Sequence, residues 1–132
     1  MDLFQKKTFT SHSGLELNWK IECDAISDAE WDCFATMIMD YQKQPFSKVE
    51  GIPRGGLKLA ERLQPYATGD RRHQVMIVDD VYTTGGSFKE YVSTNYPNWL
   101  MSMGIKWVVF ARKPIPRIEN INALFTMPSN GE

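Results

Sequence analysis

The chain has 132 residues, with 15 Lys and Arg against 16 Asp and Glu and a net charge of -1. Its 42% hydrophobic and 12% aromatic content supplies one core, which excludes wholesale disorder and argues for a single domain over 1–132. A pI near 6.1 excludes a general polyanion-binding surface, so no nucleic acid partner is expected, and no apolar run approaches the ~20 residues of a membrane helix.

From the N-terminus, Met1 to Thr10 mixes Asp2, Lys6 and Lys7 with isolated apolar residues and shows no secretory signal. A cytoplasmic location is expected. Cys23 and Cys33 are too few for a disulfide framework or a CxxC metal site and read as free buried thiols in a reducing compartment. The first stretch, 1–26, reads as extended: Thr8-Phe9-Thr10, a turn at Ser13-Gly14, then Leu15 to Glu22 alternating apolar and polar as a half-exposed strand does. Ser27-Asp28-Ala29-Glu30 fits a capping box, and Trp31, Phe34, Ala35 and Ile38 follow at helical spacing, which predicts a helix to about Tyr41.

After Pro45 the pattern becomes strand, loop and helix. Lys48 to Ile52 reads as a short strand, Pro53-Arg54-Gly55-Gly56 as a tight loop, and Leu57 to Tyr66 as a helix with Leu59, Ala60 and Leu63 inward. Val75-Met76-Ile77-Val78 is the continuous apolar run of a strand buried on both faces, ending at the carboxylates Asp79 and Asp80. A glycine-rich loop then leads to a helix with Phe88, Tyr91 and Val92 on one side. Pro97 opens a helical or turn segment that ends near Gly104, Trp107 to Ala111 is a second buried strand, and Asn122 to Thr126 is a weaker last one. Alternating strands and helices over 27–132 predict an α/β fold with a mostly parallel twisted sheet flanked by helices.

The chemistry concentrates in Val75 to Ser87. Thr83-Thr84-Gly85-Gly86-Ser87 follows the two acids and opens a helix. Glycines let backbone N–H groups converge on an anion, three hydroxyls add donors, and the helix N-terminus adds partial positive charge. A phosphate there, with Asp79 and Asp80 accepting from adjacent sugar hydroxyls, amounts to a ribose 5-phosphate. The chain has no GxxxxGK[ST] and no GxGxxG, so neither a P-loop NTPase nor a dinucleotide fold is supported. A receiver-domain acidic pocket would lie near the first strand, with an acceptor Asp and a Lys on later strands; here the pair lies past mid-chain and the later strands offer no such Asp.

Residues 75 to 87 resemble the thirteen-residue signature of the type I phosphoribosyltransferases: an apolar strand, two acids, then TTGGS. Gly51-Ile52-Pro53-Arg54-Gly55-Gly56 resembles that family's pyrophosphate loop, which often carries an unusual strained peptide. Phe9 to Gly14 and Trp19 to Asp24 are similar to the N-terminal region of orotate phosphoribosyltransferases, where extended strands form a small hood over the site. The resemblance implies transfer of ribose 5-phosphate from 5-phosphoribosyl 1-diphosphate (PRPP) to a nucleobase, an orotate-like pyrimidine being favoured, with release of diphosphate. It implies that Asp79 and Asp80 hold the ribose hydroxyls. Thr83, Thr84, Gly85, Gly86 and Ser87 would bind the 5-phosphate, and Pro53, Arg54, Gly55 and Gly56 the diphosphate. Lys20 reads equally as the basic residue that reaches the ligand and as an exposed edge lysine. Mg²⁺ would be recruited mainly by PRPP, with Asp79 or Asp80 reaching it through water and no direct protein ligand. The family's habit of dimerising implies a possible homodimer.

The sequence departs from the family in residues 57–74, most of which the predicted helix uses. Relatives usually carry a strand pair or a long mobile loop there, which closes over the reacting sugar. Only Asp70-Arg71-Arg72-His73 remains, and it reads as a solvated turn. Arg112 to Arg117 reads as a surface loop, Tyr82 as a packing residue, and the acids Glu22, Asp24, Asp28, Glu30 and Asp32 as a helix N-terminus and not a metal site. Two functions are compatible with this pattern: a small phosphoribosyltransferase, and a non-catalytic module that binds PRPP or a nucleotide after loss of the lid.

Overall fold

The structure, a computed structural model, describes residues 4–5, 9–10, 16–17, 20–21 and 23–127. Near the N-terminus, strand β1 (Phe4–Gln5) pairs antiparallel with β4 (Lys20–Ile21), and β2 (Phe9–Thr10) with β3 (Glu16–Leu17). The expected extended segment is thus present as four short pieces. The turn expected at Ser13-Gly14 lies outside the described residues, as do Trp19 and Glu22.

Helix α1 (Asp28–Tyr41) begins where the sequence places it. Ser27 Oγ accepts from the Glu30 N–H at 3.2 Å, and Glu30 Oε1 accepts from the Ser27 N–H at 2.9 Å. Two otherwise orphaned donors are satisfied, an arrangement worth ~1 kcal/mol. Bonding to Ser27 holds the Glu30 carboxyl below its ordinary value. Trp31, Ala35 and Ile38 form the buried face. The buried thiols expected at Cys23 and Cys33 are not found: Cys23 is half-buried and Cys33 exposed. At ~100° per residue, Cys33 lies about 200° round the helix from Trp31, on the solvent side.

The main sheet has four strands in spatial order β5 (Phe46–Gly51), β6 (Gln74–Tyr82), β7 (Ile105–Ala111) and β8 (Asn122–Thr126), all parallel. Helices α2 (Leu57–Leu63), prolonged by a 3-10 turn over Gln64–Tyr66, and α3 (Gly86–Asn95) connect the first three. This is the α/β architecture expected, a parallel sheet flanked by helices.

The sheet separates two apolar layers. On one face Trp31, Ala35 and Ile38 of α1 and Leu59, Ala60 and Leu63 of α2 pack on Phe46, Val49, Met76, Val78 and Trp107. On the other, Phe88 of α3 packs with Ile52, Ile77, Tyr82 and Val108. The acids around this core are accounted for by packing: Asp28 and Asp32 of α1 meet Arg62 of α2 at 3.1 and 3.2 Å. Among the described residues no group of three metal-ligating side chains occurs, and no helix is long and apolar enough to cross a membrane.

Two features of this sheet bear on the site. Met76 and Val78 belong to the first layer and Ile77 to the second, yet further on Val81 packs with the first and Tyr82 with the second. Side chains alternate strictly along a regular strand, so the alternation slips by one residue at Asp79 and Asp80. β7 slips alongside, with Val109 and Phe110 both in the first layer, and the pairing register is kept. The second feature is handedness. The steps β5 to β6 and β6 to β7 run in the same direction across the sheet, but α2 and α3 lie on opposite faces. One of the two crossovers is therefore left-handed, against a strong general rule. A doubly wound sheet normally reverses direction when its helices change face. Here the interval 57–74 holds no strand on which to reverse.

Candidate functional site

The loops after β5 and β6 meet at the carboxyl ends of the strands, where parallel α/β sheets place their ligands. The first loop, Pro53 to Gly56, is pinned by its backbone. The Ile52 N–H donates to Val78 O at 2.9 Å, the Gly56 N–H to Ile52 O at 2.9 Å and the Leu57 N–H to Arg54 O at 3.1 Å. The Pro53–Arg54 peptide is cis. Arg54 is exposed. Gly55 lies against β6: a Cβ there would come within 2.3 Å of Asp80 Oδ2 and 2.4 Å of its carboxyl carbon. Only glycine allows the loop and the acid to approach so closely.

Asp79 is 6% exposed, while Asp80 is only half-buried. Asp79 Oδ1 accepts from the Asp80 N–H at 2.8 Å, and Asp80 Oδ1 from the Val81 N–H at 2.8 Å. The two carboxylates thus accept from N–H groups at the point where the alternation slips, and the strand nevertheless runs on through both acids to Tyr82. Burial first, then the adjacent Asp80 charge, raise the Asp79 carboxyl from 3.8 to about 8. Desolvation and a like charge both disfavour the ionised form. A buried acid held protonated thus stands beside a half-buried one, an arrangement common at functional sites.

Thr83 to Ser87 follow directly. Gly85 has φ of +85°, a left-handed conformation natural to glycine, and caps α3. Thr84 Oγ1 accepts from the Gly86 N–H at 3.4 Å. Among the described residues the N–H groups of Thr83, Thr84 and Gly85 reach no backbone acceptor. Thr83, Thr84, Gly86 and Ser87 are exposed. Open N–H groups at a helix N-terminus, flanked by hydroxyls, suit an anion.

The loop and acid residues singled out by sequence come together at this end of the sheet, but Arg71 and Arg72 do not join them. Lys20 stands in β4 opposite Gln5, and its side chain lies outside the described part of the structure. Arg71 and Arg72 sit at the other end of the sheet. Thr68 N–H donates to Phe46 O at 2.9 Å and Gly69 N–H to Ser47 O at 3.0 Å, at the start of β5. Arg72 pairs with Asp70 at 2.8 Å, and His73 Nδ1 meets Thr68 Oγ1 at 2.7 Å. At ~3.3 Å per residue, the strand between Gln74 and the acids spans roughly 17–20 Å. The solvated turn is the reading that holds, and these arginines do not serve the loops.

Two residues beside the site were given no part in it by the sequence reading, which placed Arg112 in a surface loop and did not single out Glu119. The Arg112 N–H donates to Tyr82 O at 2.9 Å, which sets this half-buried arginine beside the base of the second loop. Its signal was its place just past the carboxyl end of a buried strand. Glu119, 7% exposed, accepts from the Tyr82 hydroxyl through both oxygens at 3.0 and 2.9 Å. It lies so close behind Gly85 that a Cβ there would come within 2.5 Å of Glu119 Oε1. Burial, then Glu119, push Tyr82 up to about 12. Tyr82 is a packing residue, as expected, and it also braces the loop. Glu119 had no sequence signal, being one acid in a polar stretch.

This geometry defines the fold of the type I phosphoribosyltransferases, and comparison with solved structures shows the same. The orotate phosphoribosyltransferase of Aeropyrum pernix superposes with a TM-score of 0.72 over 94% of this chain and 88% of that one, at 19% identity. The Mycobacterium tuberculosis orotate phosphoribosyltransferase, solved with Fe(III) dicitrate, gives 0.69 over 94% and 89%, at 16% identity. In the UMP synthase of Leishmania donovani the match is 0.63 over 94% of this chain but 33% of that one, at 17% identity. No family profile matches the sequence, and no curated protein matches it.

Proposed function

We propose that the chain is a single phosphoribosyltransferase-like unit that binds PRPP or a nucleoside 5'-monophosphate at the carboxyl ends of β5 and β6, and that it transfers ribose 5-phosphate to an orotate-like base. The observation that carries this reading is the contact between the two loops: Asp80 against Gly55, with the open N–H groups of Thr83, Thr84 and Gly85 next along the chain. A phosphate on the second loop places the ribose hydroxyls over Asp79 and Asp80 and directs C1 towards the first loop. Thr83, Thr84, Gly85, Gly86 and Ser87 hold the 5-phosphate through backbone and hydroxyl donors, and Arg54, Gly55 and Gly56 receive the diphosphate.

In the transfer, a ring nitrogen of the base forms a bond to C1 as the bond from C1 to the diphosphate oxygen breaks, and the proton that nitrogen carried passes to the diphosphate or to water. The diphosphate leaves with the electron pair. The carboxylates face the cationic sugar of the transition state and help stabilise it, so the work is positioning and electrostatics. With only two acids present, the donor set fits a Mg²⁺ ion carried chiefly by PRPP oxygens and reached by Asp79 or Asp80 through water. Such an ion supplies charge neutralisation at the departing diphosphate.

A second reading is a module that binds and does not transfer. It is favoured by one observation, that the arginines of the shortened interval lie at the far end of the sheet. In the catalytic reading the missing basic group comes from Lys20 or from a second copy in a homodimer. Diphosphate release, measured with PRPP, Mg²⁺ and a panel of bases led by orotate, separates the two. Release above the rate without base is the expected result. PRPP binding without release for any base overturns transfer and leaves the binding module.

A further inference from the structure

Beneath α3, on the face away from α1 and α2, lies a cavity of about 240 Å³ between the helix, β7 and the segment around Trp99. Its walls include Phe88, Tyr96 and Trp99, and the last two stack with ring centroids 4.2 Å apart. Lys106 also lines it, and this lysine is 2% exposed. Its ammonium donates to Met101 O, and to Glu119 O at 3.2 Å. An ammonium carries three N–H donors, so one has no acceptor among the described residues. Buried lysines are rare unless paired; the Glu119 carboxylate supports the Lys106 charge but gives its hydrogen bonds to the Tyr82 hydroxyl. Lys89 lines the cavity as well, so two cationic side chains stand against one acid.

We propose that this cavity is a binding site for a small aromatic carboxylate, with the ring against Phe88, Tyr96 and Trp99 and the carboxylate on the Lys106 ammonium. The volume is below the ~300 Å³ at which drug-sized ligands are usually housed, which limits the occupant to a single ring. Charge selects an anion, and the free N–H gives it a charge-assisted bond in a low-dielectric setting. Burial lowers the pKa of Lys106, the Glu119 charge opposes that shift, and a bound anion would favour the charged ammonium further. The cavity shares Glu119 with the brace behind Gly85, but the proposal does not depend on the function proposed for the two loops.

Benzoate titrated into the full chain, followed by amide and indole NMR shifts, tests this, with neutral benzamide as the comparison ligand. The expected result is saturable, millimolar binding, as suits so small a ligand, with shifts at Phe88, Trp99 and Lys106. Benzamide should bind about tenfold or more weakly, and Lys106→Met should weaken benzoate by a similar factor. Absence of saturable shifts overturns the proposal, as do shifts confined to Thr83 to Ser87 or equal binding of benzamide. Should Lys106→Met fail to fold, the two ligands on wild-type protein decide the matter.

Discussion

The two ends of the parallel sheet are built from similar polar residues and use them in opposite ways. At the amino ends of β5 and β6, the 68–73 turn satisfies its own groups: Asp70 takes Arg72, His73 takes Thr68, and the backbone closes on Phe46 and Ser47. At the carboxyl ends a buried acid is held protonated beside a half-buried one, glycine brings a loop onto that acid, and N–H groups at a helix start stay open. One end is closed chemically, while at the other, among the described residues, the N–H groups of Thr83, Thr84 and Gly85 reach no backbone acceptor. The contrast shows that the charge of a segment says little about function until its partners are known, since the turn holds more arginines than either loop.

That contrast can be broken most forcefully at the acids. Asp79→Asn combined with Asp80→Asn should reduce PRPP affinity at least a hundredfold by calorimetry, as two charge-assisted hydrogen bonds of about 1.5–3 kcal/mol each are lost. Ser87→Ala should weaken PRPP by ~1.5–3 kcal/mol through one phosphate bond. Gly55→Ala should lower stability by ~1–3 kcal/mol in denaturant titration, because its Cβ meets the Asp80 carboxylate.

The pH dependence sharpens the same difference. The folded-state value of Asp79 lies above its ordinary 3.8, at about 8, so the folded protein binds the extra proton across that window. Its contribution to stability is fully present below 3.8 and is lost as pH rises towards 8. Asp79→Asn removes this loss, so the wild type should fall relative to the variant between pH 5 and pH 8 when denaturation midpoints are compared. The smallest effect is expected at the other end. Arg72→Ala breaks an exposed pair worth ~0–1 kcal/mol and should leave PRPP affinity unchanged.

Much of this was legible in the sequence because it is local. Ser27 and Glu30 are three residues apart, so the cap and helix α1 can be read without tertiary knowledge. The two loops are contiguous strings whose glycines and hydroxyls state their chemistry. What escaped depends on distance in space. Nothing local says that Arg71 and Arg72 fall at the end of the sheet away from the acids, or that Glu119 comes to rest behind Gly85. β6 was expected to end at the two aspartates, where its apolar run stops. The carboxylates bind the Asp80 and Val81 N–H groups, and the strand passes through them. Cys33 was expected to be buried on residue type alone, and the helical phase of α1 turns it outward.

The difference between the two ends is tested most directly by titrating ribose 5-phosphate into the labelled chain and following backbone amide shifts. The account predicts saturable shifts at Thr83, Thr84, Gly85 and Ser87, with Asp70 to His73 unmoved. Shifts centred on Asp70 to His73, or none at Thr83 to Ser87, would contradict it.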